Sequence, residues 1–203
     1  MPPQDVEDCT MNLKENPKKP IILIGMPACG KSTVGVLLAK RLGYRFVDSD
    51  LHIQEAEGKL LQDIINEQGM GAFIKIEEKV NLDLGTPQSR WVIATGGSAV
   101  YSPAAMAHFR EIGTVVYLKL SYKTVRRRLG NFSHRGVVMP EGYTLRRLYD
   151  ERCALYEKYA HITIEEAPPP ASEPCVDSEA RKKHRRRSID QTLEVLCGTL
   201  GVE

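Results

Sequence analysis

The chain alternates between short apolar runs and longer segments whose apolar residues have helical spacing. Pro20 to Gly25 is a branched apolar run that ends in glycine, which predicts a buried strand. The segment from Lys31 to Leu42 carries apolar residues at 34, 37, 38 and 42, which is the period of a helix. Gly43 follows at the position where helices commonly end in a left-handed glycine. This part of the chain is therefore predicted to form a strand, a turn and a helix.

Four further apolar runs predict four more strands, at 44–47, 91–94, 114–118 and 161–164. Helical patterns lie between them, within 51–84, from Ser102-Pro103 onward, over 121–129 and over 143–159. Glycines at 58, 69 and 71 interrupt the first of these patterns. Because strands that alternate with helices need right-handed crossovers, we predict a three-layer α/β/α fold around a five-stranded parallel sheet.

Polar segments follow the first three predicted strands, at 25–33, 48–50 and 95–98. Ligands of such folds bind beyond the carboxyl ends of the strands. We therefore expect the three segments to meet in one crevice.

The composition changes at both ends of the chain. We predict a flexible extension over 1–19, one domain over 20–165, a proline-rich and basic linker over 166–187 and a final helix over 188–203. The formal net charge is +2, but without the basic run at 181–187 the remaining charges sum to −4. The basicity is local, so a general nucleic-acid-binding surface is not expected. The run itself has three open interpretations: the start of a solvated helix, a phosphate- or nucleic-acid-binding patch, or a nuclear signal.

Composition also bounds the class of protein. The longest apolar run has about five residues, far short of the roughly 20 that span a bilayer, so no membrane partner is expected. The first twenty residues carry acids and prolines, and we do not expect them to be a secretory signal. Five cysteines without a C-x-x-C pair predict neither a disulfide framework nor a zinc site. We therefore expect a reduced, cytoplasmic monomer that acts on a small molecule.

The segment after the first strand fits the phosphate-binding pattern G-x-x-x-x-G-K-[ST], with a strand before it and a helix after it. Glycines allow successive amides to point at phosphate oxygens, and the helix adds its positive N-terminal end. Lys31 would reach the β and γ phosphates of ATP, and the Ser32 hydroxyl would ligate Mg²⁺. The predicted nucleotide-binding residues are Gly25, Met26, Pro27, Ala28, Cys29, Gly30, Lys31, Ser32 and Thr33.

Two alternatives apply to this segment. It could be a glycine-rich turn without a ligand, although that leaves the lysine and the serine unexplained. Cys29 is either a small residue tolerated in a tight loop or a redox-sensitive thiol, because a helix N-terminus and a lysine both lower a thiol pKa.

Two carboxylates, Asp48 and Asp50, follow the second strand. In extended backbone, residues two apart face the same side, so both could point into the crevice. Asp48 could hold Mg²⁺ through water, and Asp50 could accept a hydrogen bond from a substrate hydroxyl and help remove its proton. Alternatively, Asp50 could cap the next helix.

With these motifs in place, the chain from about Pro20 to Ile164 resembles the shikimate kinases, small P-loop kinases that phosphorylate a cyclohexene polyol with ATP. The family's elements appear in order as GMPACGKST at 25–33, VDSD at 47–50, GAFIKIEE at 71–78, TGGS at 95–98, Arg135, and ERCALY at 151–156. The resemblance implies a nucleoside monophosphate kinase-like P-loop NTPase fold with a lid at about 130–142.

The resemblance also implies roles for single residues. Asp48 resembles the family's acid on the Mg²⁺ side, and Asp50 its acid for the substrate hydroxyl. The turn at 96–98 (Gly96, Gly97, Ser98) resembles its substrate-contacting turn. Arg128 resembles the arginine against the adenine, Arg135 the catalytic lid arginine, and Arg152 the arginine that binds the substrate carboxylate.

Each arginine also has a simpler interpretation. Arg135 could be a solvated loop residue, and 126–128 could be a solvated helix face. Arg152 could form surface ion pairs with the neighbouring Asp150 and Glu151.

Two departures from the family pattern affect the acceptor side. The family segment reads Phe-Arg-x-x-Glu, and its arginine also holds the shikimate carboxylate, whereas Ile74 follows Phe73 here. Lys75 comes one place late and is rotated by about 100° around a helix, so it does not replace that group. Ser98 stands where the family has a third turn glycine. Losing one charge-assisted hydrogen bond weakens carboxylate binding by roughly 10- to 100-fold.

The sequence therefore predicts an ATP- and Mg²⁺-dependent kinase of a small polyol, with shikimate as the first choice of acceptor. Ile74 keeps a carboxylate-free polyol or cyclitol open as the acceptor. A catalytically silent nucleotide-binding module is a further alternative, against which the intact Lys31, Ser32 and Asp50 argue.

Overall fold

A computed structural model describes residues 19–130, 138–140, 142–165 and 178–201. The described strands are β1 (Ile21–Ile24), β2 (Arg45–Asp48), β3 (Trp91–Ala94), β4 (Thr114–Lys119) and β5 (Ile162–Glu165). The described helices are α1 (Lys31–Leu42), α2 (Ser49–Glu57), α3 (Leu61–Leu82), α4 (Pro103–Ile112), α5 (Tyr122–Leu129), α6 (Leu145–Tyr159) and α7 (Ser178–Thr199). A short 3₁₀ turn, Ala99–Tyr101, leads into α4.

The five strands form one parallel sheet in the order β2-β3-β1-β4-β5, with helices on both faces. All four residues of β1 are buried, as its central place between β3 and β4 requires. The predicted three-layer fold is confirmed. Because β1 and β3 are neighbours, the turns that follow them lie side by side at the carboxyl edge of the sheet.

Two of the predicted helix boundaries are informative, and one of them is wrong. The interruption predicted at 69–71 is present at Gly69, whose φ of 80° and ψ of 166° are not helical and divide α3 by a kink. The final helix begins at Ser178, ten residues before the predicted start, so the basic run lies inside it. Arginine and lysine are good helix formers, and their charge alone does not end a helix.

No helix in the part of the chain that the structure describes is long and apolar enough to cross a membrane. The prediction of a flexible extension at 1–19 falls on residues outside the description, apart from Lys19. The same is true of the proline-rich stretch at 166–177.

Candidate active site

The loop between β1 and α1 is curled into a nest by unusual backbone angles. Gly25 and Gly30 have φ values of 145° and 104°. Ala28 adopts a φ of 66°, a conformation that non-glycine residues rarely take and that is found at ligand-binding loops. The Cys29 amide donates to the Met26 carbonyl at 3.1 Å and closes the loop. The backbone thus has the shape that cradles phosphate groups.

Lys31 is buried at the centre of this loop. Its ammonium donates to the carbonyls of Gly25, at 2.7 Å, and Met26, at 3.2 Å. The Cys29 thiol is also buried, and its sulfur packs directly against Gly25, where an added Cβ would lie 2.9 Å away. This tight packing supports the interpretation of Cys29 as a small loop residue.

Ser32 and Asp48 bring two oxygen ligands together at the mouth of the loop. The Ser32 hydroxyl donates to Asp48 Oδ2 at 2.8 Å, and the Asp50 amide donates to Asp48 Oδ1 at 3.1 Å. Hydroxyl and carboxylate oxygens are the hard donors that Mg²⁺ prefers, and the exposure of Ser32 leaves room for water ligands. This donor set fits a magnesium ion.

The local backbone at 48–50 differs from the prediction. Asp48 ends β2 and caps α2, whose first turn contains Asp50, so the two acids are not on one extended segment. The alternative role of Asp50 as the helix cap is also wrong, because Asp48 takes that role. Asp48 is a good N-cap residue, so the strand ends there and the helix has already begun at Asp50.

Asp50 nevertheless faces the same cavity as the loop. Burial raises the pKa of Asp50 from 3.8 to about 6; the neighbouring Asp48 charge adds to the rise and Lys31 opposes it. The helical turn of α2, rather than strand alternation, therefore directs this carboxylate toward the phosphate-binding loop.

The cavity measures about 400 Å³ and joins the loop to the turn after β3. Eleven predicted site residues line it, namely Pro27, Ala28, Gly30, Lys31, Ser32, Thr33, Asp50, Gly96, Gly97, Ser98 and Arg128. Leu61, Phe73, Thr95 and Leu129 complete the wall and had no predicted role. Gly25, Met26 and Cys29 belong to the loop but do not line the cavity.

The turn after β3 needs glycine for reasons of space. A Cβ on Gly96 would lie 2.1 Å from Glu77 Oε1 and 2.9 Å from Asp50 Oδ1. A Cβ on Gly97 would lie 2.9 Å from the Pro27 ring. The backbone of this turn is thus pressed between the phosphate-binding loop and two carboxylates.

Arg152 is fully buried beside the same turn, so the prediction of surface ion pairs is wrong. Its Nε donates to the Tyr101 hydroxyl at 3.3 Å, its Nη2 donates to the Val138 carbonyl, and its guanidinium stacks on the Tyr101 ring at 5.1 Å. Its Nη1 has no hydrogen-bond partner among the described residues and lies 3.1 Å from a Cβ position on Gly97. Arg152 is not among the residues that line the cavity.

Glu77, the glutamate of the family segment that begins at Phe73, is a buried acid. Neither carboxylate oxygen has a hydrogen-bond partner within the described parts of the chain. Burial raises the pKa of Glu77 from 4.5 to about 7; the Ser98 hydroxyl and the Arg152 and Lys31 cations oppose the rise, and the Asp50 charge adds to it. Only a three-dimensional structure reveals this environment, because α3 brings Glu77 beneath a turn nineteen residues further along the chain.

This raised pKa makes the stability of the protein depend on pH. The folded state holds the Glu77 proton more tightly than the unfolded state, so the stabilisation is complete below about pH 4.5 and is lost as the pH rises through about 7. The loss amounts to at most roughly 3 kcal/mol. We expect Glu77→Gln to raise the melting temperature relative to wild type by several degrees more at pH 8 than at pH 5, measured by thermal unfolding. An equal difference at both pH values would contradict the assignment.

The other predicted positions are less central. Arg128 is half-buried and also borders a second cavity of about 20 Å³, with Ser188, Ile189 and Thr192 of α7 on its far side. Nothing in the sequence indicated that the final helix would line this second cavity. Ile74 is half-buried against an apolar cluster that includes Phe73, and Arg135 lies outside the described residues.

Other proteins are similar to this chain in sequence and in fold. Residues 27–192 match the family model for shikimate kinase. The shikimate kinase of Paracidovorax citrulli is 40% identical over 154 residues, which are 73% of this chain and 82% of that protein. Shikimate kinase 2 of Dickeya chrysanthemi is 33% identical over 77% of this chain and 92% of its own.

A solved structure gives the same result. The structure of shikimate kinase from Acinetobacter baumannii in complex with shikimate superposes with a TM-score of 0.73 at 29% identity, covering 93% of this chain and 97% of that one. The relatives of this chain are phosphotransferases with an alcohol acceptor. The phosphate-binding loop, the sheet order and the acidic residue across the cavity agree with that class of enzyme. The chain is therefore a member of the shikimate kinase family.

Proposed function

We propose that the protein transfers the γ-phosphoryl group of ATP to a hydroxyl of shikimate, forming shikimate 3-phosphate. The observation that carries the proposal is a single cavity with Lys31 and the phosphate-binding loop on one side and Asp50 on the other. This arrangement brings a polyphosphate and an alcohol together for in-line transfer.

The chain's own residues provide binding and electrostatics. The loop amides and Lys31 bind the phosphates, and Asp50 orients the acceptor hydroxyl and accepts its proton. Ser32, together with Asp48 through water, would hold Mg²⁺, which neutralises charge on the phosphates. Arg128 would contact the nucleotide base, and the family resemblance assigns Arg135 to the charge that develops during transfer.

The acceptor side is formed by the turn at 96–98 and by Arg152. The unpartnered Nη1 of Arg152, buried beside Gly97, is a suitable donor for a carboxylate. A buried donor without a partner costs free energy, which a bound carboxylate would recover. Because Cys29, Cys153 and Cys197 are unpaired, we infer a reduced, cytoplasmic setting, and we expect the protein to act as a monomer.

A panel of acceptors tests the proposal. Purified protein with MgATP should release ADP in a coupled assay when shikimate is added, and much less with quinate, gluconate or myo-inositol. Equal or better turnover of a carboxylate-free polyol would displace shikimate as the acceptor. ATP binding without turnover of any acceptor would favour a silent nucleotide-binding module.

Position 74 gives a prediction for acceptor affinity. Ile74→Arg places a second cation on the face of α3 that carries Glu77, three residues further on. We expect the KM for shikimate to fall roughly 10- to 100-fold, with the KM for ATP unchanged. Lys75→Arg is the matched control, because position 75 is exposed and rotated away from that face. Steady-state kinetics that show no change in Ile74→Arg would exclude this position from carboxylate binding.

A further inference from the structure

Tyr101 connects the turn after β3 to the buried arginine of α6. It is the last residue of the 3₁₀ turn, and its amide donates to the Ser98 carbonyl at 2.9 Å. The next residue, Ser102, caps α4 through a hydrogen bond from the Ala105 amide. The backbone that carries the Tyr101 side chain is therefore fixed on both sides, and α6 packs against it.

Tyr101 makes two of the three contacts that orient the Arg152 guanidinium. Its hydroxyl accepts a hydrogen bond from Nε at 3.3 Å, and its ring centre lies 5.1 Å from the guanidinium carbon. The third contact is the hydrogen bond from Nη2 to the Val138 carbonyl. Because a guanidinium is planar, fixing Nε and Nη2 also fixes the direction of Nη1, which lies beside Gly97.

All three contacts of Arg152 are neutral. No carboxylate of the described residues lies within ion-pair distance of the guanidinium, and Glu77 acts on it only from further away. Burial raises the pKa of the Tyr101 hydroxyl, Arg152 opposes the rise and Glu151 adds to it, so the hydroxyl is uncharged at neutral pH. A neutral partner orients the cation and leaves its charge uncompensated.

The unpartnered nitrogen of Arg152 needs an anion of its own. Arg152 is fully buried, and Nη1 has no hydrogen-bond partner in the described parts of the chain. The described cations that line the cavity are Lys31 and Arg128, and both are used by the nucleotide in the proposed function. Arg152 is thus the cation that remains for a carboxylate at the turn of 96–98.

We propose that Tyr101 is a positioning residue for the acceptor carboxylate: it holds the Arg152 guanidinium so that Nη1 is directed at the turn of 96–98. This inference rests on the proposed function, which supplies shikimate as the acceptor. Tyr101 does not itself line the cavity, so it acts through Arg152.

Two substitutions separate the contacts of Tyr101. Tyr101→Phe removes the hydroxyl and keeps the ring, and we expect the Kd for shikimate to rise about 3- to 10-fold, the effect of one hydrogen bond. Tyr101→Leu removes both contacts and frees the guanidinium, and we expect a rise of roughly 10- to 100-fold, because a misplacement of about 1 Å has an effect of this size.

The methyl ester of shikimate identifies the group through which Tyr101 acts. The ester keeps the ring and hydroxyls of shikimate but has no negative charge, so it does not depend on the orientation of a cation. We expect its Kd to change by less than about 2-fold in either variant. A structural role of Tyr101 would instead change the affinity for both ligands equally.

Tyr122→Leu is the matched control. Tyr122 is half-buried, as Tyr101 is, and its ring centre lies 5.0 Å from the guanidinium carbon of Arg146. Arg146 is exposed, and neither residue lines the cavity. The substitution thus removes an equivalent contact away from the site, and the affinity for shikimate should equal that of wild type.

The experiment measures the Kd of shikimate and of its methyl ester for wild type and the three variants. Nuclear magnetic resonance titrations reach weak affinities, and thermal unfolding identifies folded variants; Tyr101→Phe decides the matter if Tyr101→Leu does not fold. Weaker binding of shikimate with unchanged binding of the ester supports the proposal. An equal loss for both ligands, or unchanged binding of shikimate, overturns it.

The same titrations separate this inference from the proposed function, because they need no turnover. Wild-type protein that binds shikimate but does not phosphorylate it with MgATP overturns the proposed function alone. Wild-type protein that binds shikimate no better than the ester overturns the role of Tyr101, since the carboxylate then contributes nothing to binding.

Discussion

Replacing Lys31 with alanine should abolish measurable phosphoryl transfer, with a fall in kcat of at least about 10³-fold. Lys31 is the buried cation of the phosphate-binding loop, and it already lies on the loop carbonyls of Gly25 and Met26. Charge develops on the transferring phosphoryl group, and a preorganised cation in a buried site stabilises it far more than water does. We expect MgATP binding to weaken as well, as measured by calorimetry.

The control for this variant is Lys40→Ala, at an exposed position in the last turn of the same helix. It removes one positive charge without touching the loop, so its kcat should match wild type. Circular dichroism should confirm that Lys31→Ala is folded, because the variant leaves two loop carbonyls without their ammonium donor. Turnover close to wild type in folded Lys31→Ala would show that the loop does not bind the reacting phosphates.

Asp50→Asn should lower kcat by roughly 10²- to 10⁴-fold, the range expected for loss of a general base. Asparagine keeps the size of the side chain but can neither carry the negative charge nor accept the proton of the acceptor hydroxyl. Affinity for MgATP should change little, because Asp48 and Ser32 remain in contact with each other. Assays of ADP release measure kcat, and nucleotide titrations measure the affinity for MgATP.

Asp63→Asn provides the matched control, since Asp63 is exposed in the first turn of α3. Its kcat should equal that of wild type. A folded Asp50→Asn variant with undiminished kcat would remove Asp50 from the mechanism, even if nucleotide binding is confirmed.

The parts of the site that local sequence determines were predictable. The loop at 25–33 follows a buried strand and begins a helix, and its chemistry depends on residues that are adjacent in the chain. The sheet and α1 could be predicted for the same reason, because their hydrophobic periods are regular. Asp50 faces the cavity as predicted, but the reasoning was wrong, because Asp50 lies in the first turn of a helix and not in an extended segment.

The remaining parts depend on packing between distant segments. Arg152 forms no surface ion pair, because it is buried and bonded to Tyr101 and Val138. The family segment includes Glu77, but its close approach to Gly96 follows from the packing of α3 against the turn after β3, which residue spacing along the chain does not report. Burial of charged groups in this way arises from tertiary structure, which periodicity along one segment does not report.

The acceptor side also explains why glycine occurs twice in the turn after β3. A methyl group on Gly96 would collide with the carboxylates of Glu77 and Asp50, and a methyl group on Gly97 would collide with the Pro27 ring.

A crystal structure of the protein with shikimate and ADP is the most direct measurement of the central claim. We predict that an acceptor hydroxyl lies within hydrogen-bonding distance of the Asp50 carboxylate, that the shikimate carboxylate meets Arg152, and that the ADP phosphates lie on the loop amides at 25–33. Phosphates bound away from that loop, or shikimate bound without contact to Asp50, would contradict the account.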